Sequence, residues 1–254
     1  MNPALSYVLL LVAAFLGGAA NALAGGGQFL VFPALLLAGV APVRANATSS
    51  LVVLPGVIAS TWVYRGTILK LGRGLVAWLV LISLAGAAIG SILLLNTSNE
   101  TFERFVPWLL LLATIIFSFA SRLVPAHPAT GARQPLLALL AGQFVIMIYG
   151  GYFGAGMGIL LVSLYLLTTP WDVQASKGLR TLCPTAANLL AVGLFAWKGA
   201  LDYKAGLPML VACIVGGYAG AHAVSLLKET TVRRTILIYA WILTAWFFIH
   251  TFGA

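Results

Sequence analysis

Residues 25–31 read Gly25-Gly26-Gly27-Gln28-Phe29-Leu30-Val31, so that three consecutive glycines interrupt an otherwise apolar stretch. A second interruption, Gly154-Ala155-Gly156-Met157-Gly158, stands in another apolar stretch half a chain later. Glycine adopts the left-handed conformations that break a helix, and it leaves the backbone uncovered. Because the break recurs at corresponding points of the two halves, the sequence predicts two structural repeats that each contain one glycine-broken helical unit.

The composition is that of a polytopic membrane protein. Hydrophobic residues make up 61% of the chain and charged residues only 7%, whereas a soluble domain carries roughly a quarter charged residues. Eight apolar runs of about 18 residues or more are each long enough to cross a hydrocarbon core of about 30 Å. They cover 5–24, 46–64, 74–95, 104–121, 135–153, 180–197, 205–227 and 232–252. We therefore predict an all-α protein with several membrane-spanning helices.

The two halves correspond beyond the glycine breaks, which gives the repeats their boundaries. Residues 42–46 align with 172–176. A pair of glycines four residues apart also corresponds, namely Gly86 and Gly90 with Gly216 and Gly220. We interpret these pairs as sites of close helix packing, a common use of small residues in membranes. One integral membrane domain is predicted, with repeat 1 at 1–121, a cytoplasmic linker at 122–134 and repeat 2 at 135–254.

The short apolar piece behind each break leaves two topologies open. Residues 28–39 and 156–169 are too short to cross a membrane alone. Each broken unit is therefore either a re-entrant hairpin or one interrupted span. With three spanning helices behind it, a hairpin gives inverted repeats and an interrupted span gives parallel ones. The positive-inside rule favours inverted repeats, because three cation-bearing segments then share the cytoplasmic side: 65–73, 122–134 and 228–234. The cations of 198–204 weigh slightly against it.

Polar residues behind each break are the candidate ligands of an anion. A helix that begins at a glycine break presents N–H donors and the positive end of its dipole, which attract anions. Arg180 adds a planar cationic fork inside an apolar segment, where an ionisable group is a functional candidate by default. The predicted substrate-binding residues are Gly25, Gly26, Gly27, Gln28, Asn46, Thr48, Ser49, Ser50, Gly154, Gly156, Gly158, Ser176, Lys177, Arg180, Thr181 and Asn188. For Asn46 and Ser176, a helix N-cap is an alternative role.

The acidic residues also favour an anion as the bound species. A cation pump would place a carboxylate inside a span, but the carboxylates of this chain all lie in loops or at segment ends. They are Glu100, Glu103, Asp172, Asp202 and Glu229. A coupled transporter of a small oxyanion, a passive anion channel and a transporter of another small organic anion all remain compatible with this pattern.

Other function classes find little support in the sequence. It contains no Gly-x-Ser-x-Gly or His-Glu-x-x-His motif and its histidines are scattered, so we expect no enzymatic activity, catalytic residue or cofactor. Cys183 and Cys213 lack metal-ligand spacing, so we expect no metal site and interpret both as packing residues. The lysines and arginines that give the chain its net charge of +9 lie at segment ends. This placement predicts contact with the lipid bilayer and not with nucleic acid. The sequence leaves open whether the protein forms a homodimer.

The two glycine motifs and the polar stretches behind them resemble the TauE/SafE sulfite exporter family. The pattern Gly25-Gly26-Gly27-x5-Pro33 is followed by Asn46-Ala47-Thr48-Ser49-Ser50, and the second break is followed by Ala175-Ser176-Lys177-Gly178. The resemblance covers essentially the whole chain. It implies a multi-pass secondary transporter that exports small sulfur-containing anions, such as sulfite or organosulfonates, across a bacterial inner membrane.

Two expectations follow from this resemblance. The paired breaks predict alternating access around a midplane site between the two repeats. The second repeat departs from the pattern, because Leu164 stands where a second proline is expected and Met157 replaces a glycine. We therefore expect the second unit to be less sharply broken than the first.

Overall fold

The structure is a computed structural model, and it describes residues 3–23, 26–119, 136–169, 171, 173–223 and 229–252. The predicted linker at 122–134 and Gly25 lie outside these residues. Ten α-helices and no β-strand occupy the described part of the chain. They are α1 (Pro3–Leu23), α2 (Gln28–Leu37), α3 (Pro42–Ile68), α4 (Arg73–Leu95), α5 (Asn99–Ser118), α6 (Leu136–Tyr152), α7 (Met157–Thr168), α8 (Val173–Trp197), α9 (Tyr203–Ala223) and α10 (Glu229–Phe252).

Within the described residues, five segments are long and apolar enough to cross a membrane. They are Pro42–Ile68, Arg73–Leu95, Asn99–Ser118, Gln174–Trp197 and Arg234–Phe252. Shorter apolar segments form the arms of the two glycine-broken units, and they are Leu5–Asn21, Gln28–Leu37, Leu136–Tyr152 and Met157–Thr168. The predicted all-helical, multi-pass class is confirmed.

Glycine and proline mark several of these helix ends. Gly39 follows α2 at φ 86° and Gly199 follows α8 at φ 65°, a left-handed conformation that only glycine adopts readily. In both cases the N–H of the next residue donates to the carbonyl five residues back, at 3.0 and 2.8 Å. This C-cap satisfies carbonyls that the helix end would otherwise leave unpaired. Helix α3 begins at Pro42, whose missing N–H costs nothing in the first turn.

The chain divides into two compact units that each take helices from both sequence halves. Unit 1 consists of Met1–Gly56, Leu95–Thr114 and Phe195–Ala254, and unit 2 consists of Val57–Leu94 and Ile115–Leu194. Unit 1 therefore contains the first glycine break together with α9 and α10. Unit 2 contains α4 together with the second break. Each unit is described by itself below.

In unit 1, glycines bring α1 and α9 into backbone contact. A Cβ added at Gly216 would overlap the carbonyl group of Phe15, and one added at Gly18 would overlap the carbonyl of Cys213. A Cβ on Gly220 would lie 2.6 Å from the Cα of Ala19. The matched residues advance together along both helices, so α1 and α9 run parallel. The predicted packing role of Gly216 and Gly220 is confirmed.

In unit 2, the corresponding glycines bring α4 and α6 together. A Cβ on Gly86 would lie 2.8 Å from the carbonyl oxygen of Phe144. One on Gly90 would overlap the carbonyl of Ile148, and Gly151 of α6 lies as tightly against Ala87. Gly86 and Gly90 thus have the predicted packing role, because no side chain fits between the two backbones.

Candidate substrate site

The first glycine break folds the chain into a helical hairpin. Helix α1 ends at Leu23 and α2 begins at Gln28. Gly17, which precedes the end of α1 by six residues, lies against Val31 of α2, and a Cβ added there would be 2.9 Å from Val31 Cγ2. A Cβ on Gly27 would be 2.5 Å from the Gly17 carbonyl oxygen. Helix α2 therefore runs back along α1, and of the two predicted alternatives this is the hairpin.

The second break forms a hairpin as well. Gly154 and Gly156 have φ values of 87° and 79°, both in the left-handed region. The Tyr149 hydroxyl braces the turn by donating to the Ala155 carbonyl at 2.5 Å. In the arms, a Cβ on Gly142 of α6 would lie 2.7 Å from Leu164 Cδ1 of α7. Two left-handed glycines thus turn the chain in the second unit, and Leu164, where a proline was expected, lies inside α7. Whether this break is less sharp than the first stays a prediction, because Gly25 lies outside the described residues.

Buried hydrogen bonds hold the second hairpin together. Gln143 of α6 donates through Nε2 to Ser83 Oγ of α4 at 2.7 Å, and Tyr165 of α7 donates to Gln143 Oε1 at 2.7 Å. All three side chains are fully buried. Cys183 of α8 is buried in the hydrophobic core around Tyr165, which agrees with its predicted packing role. This cluster was not predicted from the sequence, where a glutamine inside an apolar run is the signal for it.

A polar cluster lies at the first break in unit 1. Gln28, the first residue of α2, points its Nε2 at Asn46 Oδ1 (3.4 Å) and at Ser49 Oγ (3.5 Å) of α3. Ser49 Oγ donates to the Asn46 carbonyl at 2.7 Å, and Ser50 Oγ does so at 3.3 Å. Asn46 and Ser49 are buried. The structure thus brings together Gln28, Asn46, Ser49 and Ser50 of the predicted ligands, close behind Gly26 and Gly27.

Thr48 has a different neighbourhood from Ser49. Its Oγ1 accepts a hydrogen bond of 2.9 Å from the N–H of Asp202, in the turn before α9. Arg44 binds the same turn, with Nη2 at 3.3 Å from the Gly199 carbonyl and 3.2 Å from that of Leu201. Thr48 therefore helps to attach the 199–202 turn to the start of α3, and its hydroxyl is not placed in the Gln28 cluster.

In unit 2, Arg180 lies over the start of α7. A Cβ built on Gly158 would lie 3.5 Å from both Cγ and Cδ of Arg180 and 3.9 Å from its Nε. These distances are ordinary van der Waals contacts, so Arg180 packs directly on the first turn of α7. Arg180 is half-buried and belongs to the candidate span Gln174–Trp197. The structure thus brings together Arg180 and the glycine break, as the sequence predicts.

Ser176 stands one helical turn before Arg180, on the same face of α8. Its side chain is fully buried, and its Oγ has no hydrogen-bond partner. Thr181 is also buried, but its hydroxyl donates back to the Gly178 carbonyl at 2.7 Å. Lys177 and Asn188 are half-buried. A buried hydroxyl without a partner is costly, which makes Ser176 the strongest neutral candidate in this unit.

Two expectations about helix starts need correction. Asn46 and Ser176 are not N-caps, because α3 begins at Pro42 and α8 at Val173, so both residues lie inside their helices. The N–H groups behind the breaks are also less available than predicted. Those of Phe29 and Leu30 donate to the Gly26 and Gly27 carbonyls at 3.0 and 3.1 Å, which tightens the first turn of α2. Side chains must therefore supply most donors for a ligand.

Asn21 is a further polar residue at the first break that the sequence analysis overlooked. It lies in the last turn of α1, and its Nδ2 would be 2.8 Å from a Cβ built on Gly56 of α3. Its own Cβ would be 3.2 Å from one built on Gly27. The available signal was a lone amide two residues before the end of an apolar run.

No group of three His, Cys, Asp or Glu side chains that could hold a metal occurs among the described residues.

A comparison with protein families matches residues 10–247 to the family described as "Sulfite exporter TauE/SafE". The chain belongs to the TauE/SafE family. Curated relatives carry compatible names. A "Probable membrane transporter protein" of Haemophilus influenzae is 27% identical over 239 residues, which cover 93% of this chain and 92% of the relative. "Probable membrane transporter protein ORF9" of a Sinorhizobium species is 27% identical, covering 90% and 87%. "Probable membrane transporter protein YfcA" of Escherichia coli K12 is 25% identical, covering 96% and 90%.

Membership in TauE/SafE confirms the predicted family and supports the multi-pass membrane class. The match extends over both glycine breaks and nearly all of the helices described above. The names of the relatives point to transport and away from enzymatic activity.

Proposed function

We propose that this TauE/SafE protein is a secondary transporter that exports small sulfur-containing oxyanions, such as sulfite or organosulfonates, across a bacterial inner membrane. The observation that carries the proposal is the position of Arg180 over Gly158, at the start of α7. A guanidinium group and the N-terminal end of a helix attract the same ligand, an anion with several acceptor oxygens.

The electrostatic balance of the spans supports an anionic substrate. Arg180 lies within a candidate span, where an ionisable side chain is a functional candidate by default. The described acidic residues lie elsewhere: Glu100 and Glu103 at the start of α5, Asp202 before α9 and Glu229 at the start of α10. The guanidinium group of Arg180 would donate charge-assisted hydrogen bonds to an oxyanion. The unpartnered hydroxyl of Ser176, on the same face of α8, would donate one more.

Taken by itself, unit 1 contains a cluster of neutral groups that could donate to an anion. The Gln28 bonds to Asn46 and Ser49 measure 3.4 and 3.5 Å, longer than the 2.7–3.2 Å of a typical N–H···O bond. Weak bonds of this kind are exchanged for ligand contacts at little cost. Gln28, Asn46 and Ser49 are therefore the proposed ligands in this unit, while Thr48 positions the turn before α9.

Inverted repeats with alternating access are the proposed architecture, with repeat 1 at 1–121, a cytoplasmic linker at 122–134 and repeat 2 at 135–254. A hairpin returns to its own side, so α3, α4 and α5 make three crossings and the second half begins on the opposite side. Contacts in unit 1 support this count. The 199–202 turn is bound by Arg44 at the start of α3, and the adjacent Val43 N–H bonds Asn99 Oδ1 at 3.2 Å. Parallel repeats would put residues 99 and 199 on opposite sides of the membrane.

The test is sulfite export by purified protein in proteoliposomes. Arg180→Gln is expected to lower the initial rate by roughly 10- to 100-fold, because a hydrogen bond to a charged group contributes about 1.5–3 kcal/mol. Arg104→Gln, which removes an exposed arginine of α5, is the matched control and is expected to keep the wild-type rate. Unchanged melting temperatures would show that both variants are folded. An Arg180→Gln variant that exports sulfite at the wild-type rate would refute this site.

A gradient experiment separates a coupled transporter from a passive anion channel, which is the alternative function. Sulfite flux is measured against an opposing sulfite gradient, with and without a proton gradient of either sign. The proposal expects uphill movement under one of these conditions. Flux that only ever follows the sulfite gradient would instead identify a channel.

A further inference from the structure

Unit 1 contains a concave site that shares no residue with the proposed substrate site. It is a half-open cavity of about 220 Å³ between the end of α2, the first turns of α5 and the last turns of α10. Its walls are mostly apolar, and its lining residues are Leu36, Leu37, Gly39, Val40, Ala41, Pro42, Glu103, Val106, Trp246, Phe247 and His250.

The cavity combines an acidic group with N–H donors. Glu103 lines it, and this carboxylate makes no ion pair within the described residues. On the α10 side, the His250 ring stacks on the Trp246 indole, with ring centroids 5.1 Å apart and planes at 9°. An imidazole carries an N–H donor in either protonation state, and an indole carries one. An acceptor and a pair of donors therefore line the same cavity.

The cavity also lies where helices of the bundle begin and end. Glu103 is in the second turn of α5, and His250 is two residues from the end of α10. Ends of membrane-spanning helices lie at the level of the lipid headgroups, where tryptophan is enriched. Leu37 and Trp246 are exposed beside the cavity and would face lipid.

We infer that this cavity binds an ethanolamine phospholipid. The ammonium group of the headgroup would donate to the Glu103 carboxylate, and its phosphate would accept from the N–H groups of His250 and Trp246. The glycerol and the first acyl carbons would pack on Leu37 and Val40. Charge complementarity selects this occupant: a headgroup with only negative charge meets the carboxylate, and one without N–H donors leaves that carboxylate unpaired.

The inference does not depend on the transport proposal, because its readout is lipid binding. The protein is purified and reconstituted in nanodiscs that contain equal amounts of phosphatidylethanolamine and phosphatidylglycerol. Lipids retained after gentle detergent release are counted by native mass spectrometry. Phosphatidylethanolamine is expected to be enriched. Glu103→Gln is expected to lower the enrichment about 2- to 5-fold, the modest effect of an exposed charge pair.

Glu100→Gln is the matched control, because Glu100 is an exposed carboxylate one turn earlier in α5 that does not line the cavity. His250→Phe is a second variant that keeps a stacked ring but loses the N–H, and it is expected to lower retention as well. Equal retention of both lipids by the wild type would overturn the inference, and so would a Glu103→Gln variant with wild-type enrichment. Displacement of the lipid by millimolar free phosphoethanolamine would show a site for a soluble zwitterion, which also contradicts it.

Discussion

Three neighbouring polar residues at the start of α3 acquire different roles from their orientation. Successive residues of a helix are rotated by about 100°, so residues adjacent in sequence face different neighbours. Asn46 and Ser49, one turn apart, both meet Gln28 at the first break. Thr48 instead accepts the Asp202 N–H. The sequence shows that these residues are polar, but it does not show which neighbouring helix or turn each of them faces. That becomes clear only when the positions of the neighbours of α3 are known.

Glycine residues show the same dependence on neighbours, and this gives a prediction. Gly216→Ala would push a Cβ into the Phe15 carbonyl, so we expect it to lower the free energy of unfolding by about 1–3 kcal/mol, the usual cost of overpacking. Gly193→Ala is the control, since Gly193 lies inside α8 with nothing within 4 Å of an added Cβ. It is expected to be neutral or stabilising by up to about 1 kcal/mol.

Thermal and denaturant unfolding of both variants in detergent would measure this difference. If Gly216→Ala were as stable as Gly193→Ala, the close contact of α1 and α9 would have to be discarded.

The two hairpins have similar outlines but are held by different chemistry. In the first, α1 and α2 approach through glycine, with Gly17 against Gly27 and Val31. In the second, buried hydrogen bonds join Gln143, Ser83 and Tyr165 across three helices. The two alignable halves of the sequence therefore fold into similar elements with unequal contacts. A proline in α7 is not required, because glycines at 154 and 156 already turn the chain.

The hydrogen bonds of the second hairpin can be tested by removing one hydroxyl. Tyr165→Phe leaves Gln143 Oε1 without this donor, so we expect a loss of about 0.5–2 kcal/mol in the free energy of unfolding, the range found for buried polar contacts in membranes. Tyr7→Phe, at an exposed position of α1, is the control and is expected to change nothing. In a double-mutant cycle with Gln143→Leu, the two changes should not add. Additive effects would mean that this bond contributes no stability.

At the scale of the whole molecule, the number of membrane crossings determines how the halves are related. In the proposed architecture, each hairpin returns the chain to the side from which it came, and three helices follow each hairpin. The positions of the loop cations favoured inverted repeats only weakly, and the cations of 198–204 weighed against inverted repeats. The contacts of Arg44 with the 199–202 turn, and of Val43 with Asn99, support inversion more directly.

Added cysteines provide the corresponding test of topology. In intact cells, a membrane-impermeant thiol reagent should label Ser98→Cys and Lys198→Cys, and it should label Leu69→Cys only after the cells are opened. These positions are exposed, and the native Cys183 and Cys213 are buried, which keeps the background low. Labelling of positions 69 and 198 from the same side would support parallel repeats and contradict the proposed architecture.

Several parts of the candidate site could be predicted from sequence because they depend on local chemistry. Two glycine breaks, a polar stretch behind each and an arginine in an apolar run are visible without any knowledge of the fold. The contact of Arg180 with Gly158 was predictable because only four residues separate α7 from α8. Asn21 and Gln143 were missed, since a lone amide in an apolar helix shows its function only through partners in other helices.

The sequence by itself determined the membrane class, the glycine breaks and the TauE/SafE family, because composition and backbone preference act within a few residues. Only the tertiary structure decided that α2 and α7 run back along α1 and α6. It also decided that Thr48 binds the turn before α9 and that Gln143 joins three helices. These features depend on contacts between residues far apart in the chain. The triglycine allows a break, but it is the packing of Gly17 against Gly27 and Val31 that sets the direction of the next helix.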